Sequence, residues 1–422
     1  MQEPLSIPMP AALPARKAFH IPSLDGIRAV SFMLVFLAHA GLESKIPGGL
    51  GVTVFFFLSG YLITTLLRTE ADQNGHISIR DFYIRRALRI FPPFYLIILL
   101  GLCLHWTHLL IGPIGGYGVM FQSLHLANYW TVYRLIHNFS LDGIPLGSNV
   151  LWSLAVEEHF YLVFPLLFIV LRKWFSARGQ TVALTLLCGL ILLWRCVLVY
   201  YFDVIKVDSA GTLQNARTFF ATDTRADSIL WGCIFAIACN PMLDKPRVLG
   251  FRLLLMVVGA LGVLALTLVI RDPESVLPGS HALTLRGFRE TFRYTLQGLV
   301  LIPIFTAAII YHESPLFRWL NWKPLRQLGV LSYSLYLVHY TVIYITRRGE
   351  LDAARGMKGV MQGIIAFGAS FGIAMAMYRW VELPCARLRK RFSHASSIKN
   401  RVRSGTAEGQ VGGEILPLRT AS

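Results

Sequence analysis

The chain has 422 residues, of which 55% are hydrophobic and 15% charged, and its mean hydropathy is +0.55. A water-soluble enzyme of this length carries more charge, so the composition excludes an ordinary soluble fold and points into a membrane. The formal net charge of +17 does not signal nucleic acid, because no soluble basic module accompanies it; cytoplasmic loops of membrane proteins collect Lys and Arg in the same way.

Residues 1–20 hold four prolines and the basic pair Arg16 and Lys17. They lack the apolar core of a signal peptide and read as a cytoplasmic tail, with the next apolar run an uncleaved anchor. About ten apolar runs follow, at 24–43, 50–67, 88–109, 151–171, 182–202, 226–240, 252–270, 294–312, 327–346 and 359–380. Most approach the 20 or so residues that a helix needs to cross hydrocarbon; the run 226–240 is short. The predicted fold is therefore all-α, a polytopic bundle of about ten transmembrane helices. Residues 110–150 read as a long loop, with turn chemistry from Gly112 to Gly118 and a partly amphipathic stretch from Phe121 to Leu135 that lies on the membrane or re-enters it. With the N-terminus placed inside, segments on its side hold 24 Lys and Arg against 13 opposite, which predicts N-in and C-in. The basic end, 388–422, has no apolar period and reads as a disordered cytoplasmic tail, leaving 21–387 as the membrane domain. The six cysteines (Cys103, Cys188, Cys196, Cys233, Cys239 and Cys385) form no CxxC pair and suggest neither a disulfide frame nor a zinc site.

Polar groups inside these runs are the candidates for chemistry, because an ionisable group in lipid is costly. Asp25-Gly26-Ile27-Arg28 opens the first run, and His39 follows Arg28 by eleven positions. Eleven residues make close to three helical turns, so Arg28 and His39 share a face about 16 Å apart along the axis. Either they line a wet cavity, or Arg28 snorkels to one interface and His39 caps the other end. Arg85, Arg86 and Arg89 cluster on one turn at the start of the third run. Guanidinium forks suit phosphate oxygens; the alternative is a positive anchor against lipid headgroups. Trp152 to Tyr161 brings Ser153, Glu157, Glu158 and His159 into the fourth run, on the side of His39. A carboxylate there can orient a histidine or bind a hydroxyl, although Glu158 and His159 could equally sit at the interface with Glu157 alone turned inward. Ser59-Gly60 in the second run reads as close helix packing. Ser332 to His339 sets Tyr336 and His339 on one turn of the ninth run. Arg225 and Asp227 read as an ion pair, Arg195 as a snorkelling side chain, and His105 and His108 as too isolated for a metal; no metal site is predicted.

Taken together, these motifs resemble the acyltransferase-3 family of integral membrane acyltransferases over nearly the whole of 21–387. Leu24-Asp25-Gly26-Ile27-Arg28 through His39 is similar to the family's Arg-x10-His motif. Phe55-Phe56-Phe57-Leu58-Ser59-Gly60-Tyr61-Leu62-Ile63 is similar to its second-span signature, and Arg86-Ala87-Leu88-Arg89 to its Arg-x-x-Arg motif. Ser153 to Glu157 with Phe160-Tyr161 and Pro165 matches its fourth-span pattern; Leu328-Gly329 to His339 and Glu382-Leu383-Pro384 also resemble the family.

The resemblance implies transfer of acetyl or another short acyl group to a cell-envelope carbohydrate, lipid or secondary metabolite, in a multi-pass protein of the inner (cytoplasmic) membrane. Family members with an appended esterase-like domain exist, and this chain is expected to act without one. Acyl-CoA, expected to be acetyl-CoA, is the co-substrate, with no permanently bound cofactor. Arg86 and Arg89, with Arg28, are expected to hold the CoA phosphates. His39 is the expected general base, oriented by Glu157, with Asp25, Ser59, Ser153, Tyr336 and His339 in support; an acyl-enzyme on His39 or a nearby serine stays open. The rival readings are a transporter or flippase for a lipid-linked sugar or small metabolite, whose intramembrane Arg, His and Glu would be substrate or proton sites, and a non-catalytic scaffold.

Overall fold

The protein is described by a computed structural model covering residues 22–42, 45–110, 114–137, 149–202, 206–207, 213–214, 216–244, 248–269, 280–347 and 356–390. The expected tail 1–20 lies outside the described residues, as does the expected tail 388–422 beyond residue 390.

In hydrocarbon a segment must satisfy its own backbone N–H and C=O groups, so apolar runs of this length become helices. In chain order they are α1 (Pro22–Leu37), α2 (Gly48–Asn74), α3 (Ile79–Trp106), α4 (Gly116–Ser123), α5 (Ala127–His137), α6 (Trp152–Trp174), α7 (Ala177–Cys196), α8 (Ala216–Phe220), α9 (Thr222–Ala238), α10 (Phe251–Val269), α11 (Ser280–Ile310), α12 (Lys323–Thr346) and α13 (Gly356–Met377). A two-residue antiparallel pair, Lys206–Val207 with Leu213–Gln214, is the only strand pairing among the described residues. Local chemistry sets the ends. Gly75 closes α2 in the left-handed region at φ 73°, and Ser78 opens α3 by accepting from the Asp81 N–H at 3.4 Å.

Among the described residues, nine helices are long and apolar enough to cross a membrane: α1, α2, α3, α6, α7 and α10 to α13. The expected run 226–240 is also a helix, α9, but has 17 residues. It is enclosed by α2, α7, α11 and α6, so it meets protein where the outer helices meet lipid. That enclosure is why it tolerates Arg225, Asp227 and Ser228. The outer helices show the reverse pattern: Leu254, Val258 and Leu261 on α10 and Val360, Met361 and Ile364 on α13 are exposed and apolar. The segment expected as a surface or re-entrant loop holds α4 and α5, joined through His125 at φ 57°, and α5 packs on α8 and α6.

The most extensive packing is between α2 and α9, followed by α1 against α12. Gly60 and Gly232 explain the first. A methyl group on Gly60 would overlap the Ile229 carbonyl, and one on Gly232 would overlap the Phe57 carbonyl. The two backbones therefore touch, as the small residues beside Ser59 predict.

Two expectations about buried charge are corrected. Arg195 does not snorkel: it is fully buried, bonded to Asp227 at 2.6 Å and to the Thr224 carbonyl at 3.1 Å. Arg225 therefore does not pair with Asp227. Residues two apart on a helix point to nearly opposite sides, so α9 sends Asp227 toward α7 and Arg225 into an aromatic box of Phe56, Trp152, Phe219 and Tyr294.

Candidate functional site

Many of the polar residues of the spans line two chambers. The first, about 320 Å³, lies among α1, α2, α3, α6 and α12 and is lined by Arg28, Arg86 and Arg89, with Asp25, Ser59, Glu157 and Glu158. It occupies the end of the bundle where α1 and α3 begin. Arg28 is 3.6 Å from Asp25, one turn earlier on the same helix. Arg86 lies over two rings, 5.4 Å from the Tyr161 centroid and 5.7 Å from that of Phe82. Among the described residues no carboxylate pairs with Arg86 or Arg89. Arg85, the third arginine of the cluster, leaves the chamber: it pairs with Glu70 at 2.8 Å. Glu70 also accepts from the Ser78 N–H at 2.9 Å, so Arg85 ties the end of α2 to the start of α3. The 100° step between neighbours on a helix separates Arg85 from Arg86 in this way.

Glu157 sits in the wall of this chamber. Its Oε2 accepts from the Tyr161 hydroxyl at 2.7 Å and from Ser59 at 3.2 Å. Glu158 turns inward as well, whereas His159 is bonded to Thr222 at 2.7 Å. Two carboxylates facing the arginines keep the chamber polar on both sides.

The second chamber, about 500 Å³, lies where α1 ends and α2 and α6 begin, toward the opposite end of the bundle. His39 lines it with Tyr340 and, from α11, Arg289, Arg293 and Gln297. The helix widens into a π turn over Ala38–Leu42 and breaks at Gly41, φ 88°, where the Arg347 guanidinium donates to the freed Ala40 carbonyl at 2.6 Å. His39 Nδ1 is 3.0 Å from His339 Nε2, and His339 Nδ1 is 2.7 Å from the Tyr336 carbonyl oxygen. A carbonyl only accepts, so His339 carries its proton on Nδ1. Its Nε2 must then accept from His39 Nδ1–H, which leaves the lone pair on His39 Nε2. His339 is fully buried and packed edge-on against Phe32, so the pair is held rigidly.

The expectation that Glu157 orients His39 is therefore corrected: His339 occupies that place, and Glu157 belongs to the arginine chamber. α6 starts at the partition between the chambers, with Trp152 on the His39 side, and Glu157, just over a turn further along, lines the arginine side. Ser153 and Tyr336 stand at that partition. Tyr336 and Val52 line both chambers. The Tyr336 hydroxyl is 2.6 Å from Ser153 Oγ and 3.2 Å from the Val150 carbonyl. The single passage expected between Arg28 and His39 is thus two chambers back to back, with α1 forming a wall of each. Chemically, one chamber offers cations to a polyanion and the other a hydrogen-bonded imidazole with a free nitrogen.

The sequence groups Arg28, Arg86 and Arg89, which line one chamber, but gives no sign that Ser59 joins them. Sequence reasoning missed Tyr161 as the Glu157 partner and passed over α11 altogether. The spacing of Arg286, Glu290, Arg293 and Gln297 at four, three and four was the available signal, because it marks one helix face.

Comparison with known proteins adds an independent line. A family model described as an acyltransferase domain matches residues 21–379. The chain is 28% identical over 375 residues to the peptidoglycan O-acetyltransferase OatA of Listeria monocytogenes, a match covering 86% of this chain and 56% of that protein. It is 30% identical over 373 residues to the O-acetyltransferase OatA of Staphylococcus aureus, covering 86% and 57% respectively. The chain spans little more than half the length of these curated relatives. No solved structure matches.

Proposed function

The chain belongs to the acyltransferase-3 family, and from that premise we propose that it is a membrane O-acyltransferase that moves an acetyl or other short acyl group from acyl-CoA to a hydroxyl of a cell-envelope carbohydrate. The observation that carries the reading is the division of labour along α1: cations at one end, a tautomer-locked imidazole at the other, and one tyrosine between them. The names of the relatives, which act on peptidoglycan or carry out O-acetylation, favour a carbohydrate acceptor.

Arg86 and Arg89, with Arg28, bind the CoA phosphates in the first chamber, which the charge bias of the loops assigns to the cytoplasmic side of the inner membrane. The pantetheine arm reaches past Tyr336, whose hydroxyl must leave Ser153 or swing with it. In the second chamber His39 Nε2 takes the proton of the acceptor hydroxyl. The oxygen attacks the thioester carbonyl, the C–S bond breaks, and the departing thiolate takes the proton back from the imidazolium, giving an ester and free CoA.

The test is turnover by the purified protein with labelled acetyl-CoA. The wild type is expected to bind acetyl-CoA and to hydrolyse it slowly or transfer its acetyl group. His39→Ala should abolish turnover and keep binding. An absence of acetyl-CoA binding by the wild type would overturn the enzymatic reading and favour transport; a His39→Ala variant that still turns over would end the assignment of the base.

A further inference from the structure

The chamber that holds His39 carries positive charge of its own. On α11, Arg286, Glu290, Arg293 and Gln297 share one face, and each is more than nine-tenths buried. Arg289, Arg293 and Gln297 reach the chamber wall. One carboxylate serves two of the cations: Glu290 Oε1 is 2.5 Å from Arg289, and Glu290 Oε2 is 3.2 Å from Arg293.

Arg293 also lies 4.4 Å from the centre of the Tyr294 ring, with Arg225 at 3.6 Å from the same ring. Arg225 is fully buried behind the aromatic wall. It donates to Thr53 at 3.4 Å, and its Nε and Nη1 have no partner among the described residues. The Nε of Arg293 has none either.

An aromatic face offsets only part of the cost of burying a cation. Among the described residues, Arg225 and Arg293 together exceed what Glu290, already shared with Arg289, can neutralise. Asp227 is committed to Arg195 and Thr295. The missing charge is an anion, and the open space beside Arg293 is the chamber itself. Its remaining walls, Trp152, Phe219, Phe220 and Tyr340, are flat and largely apolar, suited to a ring that carries polar groups at its edge.

Resting on the acyltransferase reading, we propose that the acceptor is anionic: a carbohydrate bearing a carboxylate or a phosphate, which Arg293 binds while His39 addresses a hydroxyl of the same molecule. Arg293 is thus a specificity residue of the acceptor site, and Arg225 strengthens the field behind it. The same chamber holds both Arg293 and His39, so one acceptor reaches both.

The test measures binding to the full-length protein in a neutral detergent at low ionic strength, by thermal shift, with glucose, glucuronate and glucose 6-phosphate. Both charged sugars are expected to bind about tenfold or more tightly than glucose, the effect of one charge-assisted hydrogen bond. Whichever binds better identifies the group as carboxylate or phosphate. Arg293→Gln should lose the preference and Arg293→Lys should keep part of it. Arg86→Ala with Arg89→Ala should keep it fully, which separates this site from the CoA chamber. Equal binding of charged and neutral sugars, no binding of any, or a preference that survives Arg293→Gln overturns the proposal. Acetyl-CoA binding on the same preparations checks that the Arg293 variants are folded, and a wild-type unfolding temperature without ligand checks the Arg86→Ala, Arg89→Ala variant. Acetyl-CoA binding also keeps the two ideas apart: if the wild type binds and turns over acetyl-CoA without preferring charged sugars, only the anionic acceptor fails; if it binds no acetyl-CoA, the acyltransferase reading fails.

Discussion

His39 Nδ1 and His339 Nε2 face each other at 3.0 Å with their rings stacked at a 20° angle, and the second imidazole is anchored to the Tyr336 carbonyl. His339 never reaches the chamber; it acts by fixing which nitrogen of His39 is free. A neighbour that sets tautomer and ring orientation affects the rate more than binding. His339→Ala is expected to lower kcat by about ten- to a hundredfold, less than the 10²–10⁴-fold expected from loss of the base itself. KM for acetyl-CoA should stay unchanged in both. Partial recovery in His339→Gln, whose side-chain carbonyl can accept from Nδ1–H, would distinguish positioning from packing, and a wild-type kcat in His339→Ala would refute the role.

The three arginines at the start of α3 divide into two jobs. Arg86 and Arg89 face the first chamber, and Arg85 is held by Glu70. Charge-assisted hydrogen bonds contribute about 1.5–3 kcal/mol each, so Arg86→Ala with Arg89→Ala should weaken acetyl-CoA binding by at least about tenfold. Arg85→Ala should leave the Kd alone. Calorimetric titration of the two variants decides it; equal losses would mean that the cluster acts only as a diffuse positive surface.

The buried pair Arg195–Asp227 makes a stability prediction. Removing one partner of such a pair strands the other charge and costs about 3–5 kcal/mol. Asp227→Ala should therefore unfold far more readily in detergent than the wild type. Arg195→Met with Asp227→Leu, which removes both charges, should regain much of the loss. If the single variant proved as stable as the parent, the pair would have no structural weight.

The contact of α2 with α9 leaves no room for a side chain. Gly60→Leu forces the backbones apart at Ile229, and overpacking of this kind costs about 1–3 kcal/mol. Monodispersity and thermal unfolding of the variant should both deteriorate. Gly75→Ala, at the exposed end of α2 with open space around it, should cost only the strain of its positive φ and so much less.

One histidine outside the spanning helices provides a pH signature. His125, between α4 and α5, stacks on Phe94 at 4.2 Å. Burial, helped by the neighbouring His159, pushes its pKa down to about 4 from the ordinary 6.5. The unfolded chain then binds more protons than the folded one between these values, so stability rises with pH there. Stability contributed by this group is present above pH 6.5 and is lost as the pH falls toward 4. Unfolding transitions of the wild type and His125→Phe, compared at pH 7 and pH 5, should diverge at the lower pH; parallel behaviour would exclude His125 as the source.

Much of this molecule is local and therefore readable in one dimension. Apolar runs of the right length become helices because hydrocarbon leaves the backbone no other partner, and all ten expected runs are helices. Helical periodicity likewise puts Arg28 and His39 on one side of α1, and the composition of the Ser59-Gly60 stretch announces a close contact. What periodicity cannot supply is which face of one helix meets which face of another. His39 finds His339 three hundred positions away; Glu157 finds Ser59 instead of His39; Asp227 finds Arg195 instead of the nearby Arg225. Those pairings depend on how each helix is rotated about its axis and how deeply it sits against its neighbours, which side-chain packing across the whole bundle decides. The sequence by itself determined the spans and their charged residues; only the tertiary structure decided that those residues form two chambers meeting at Tyr336.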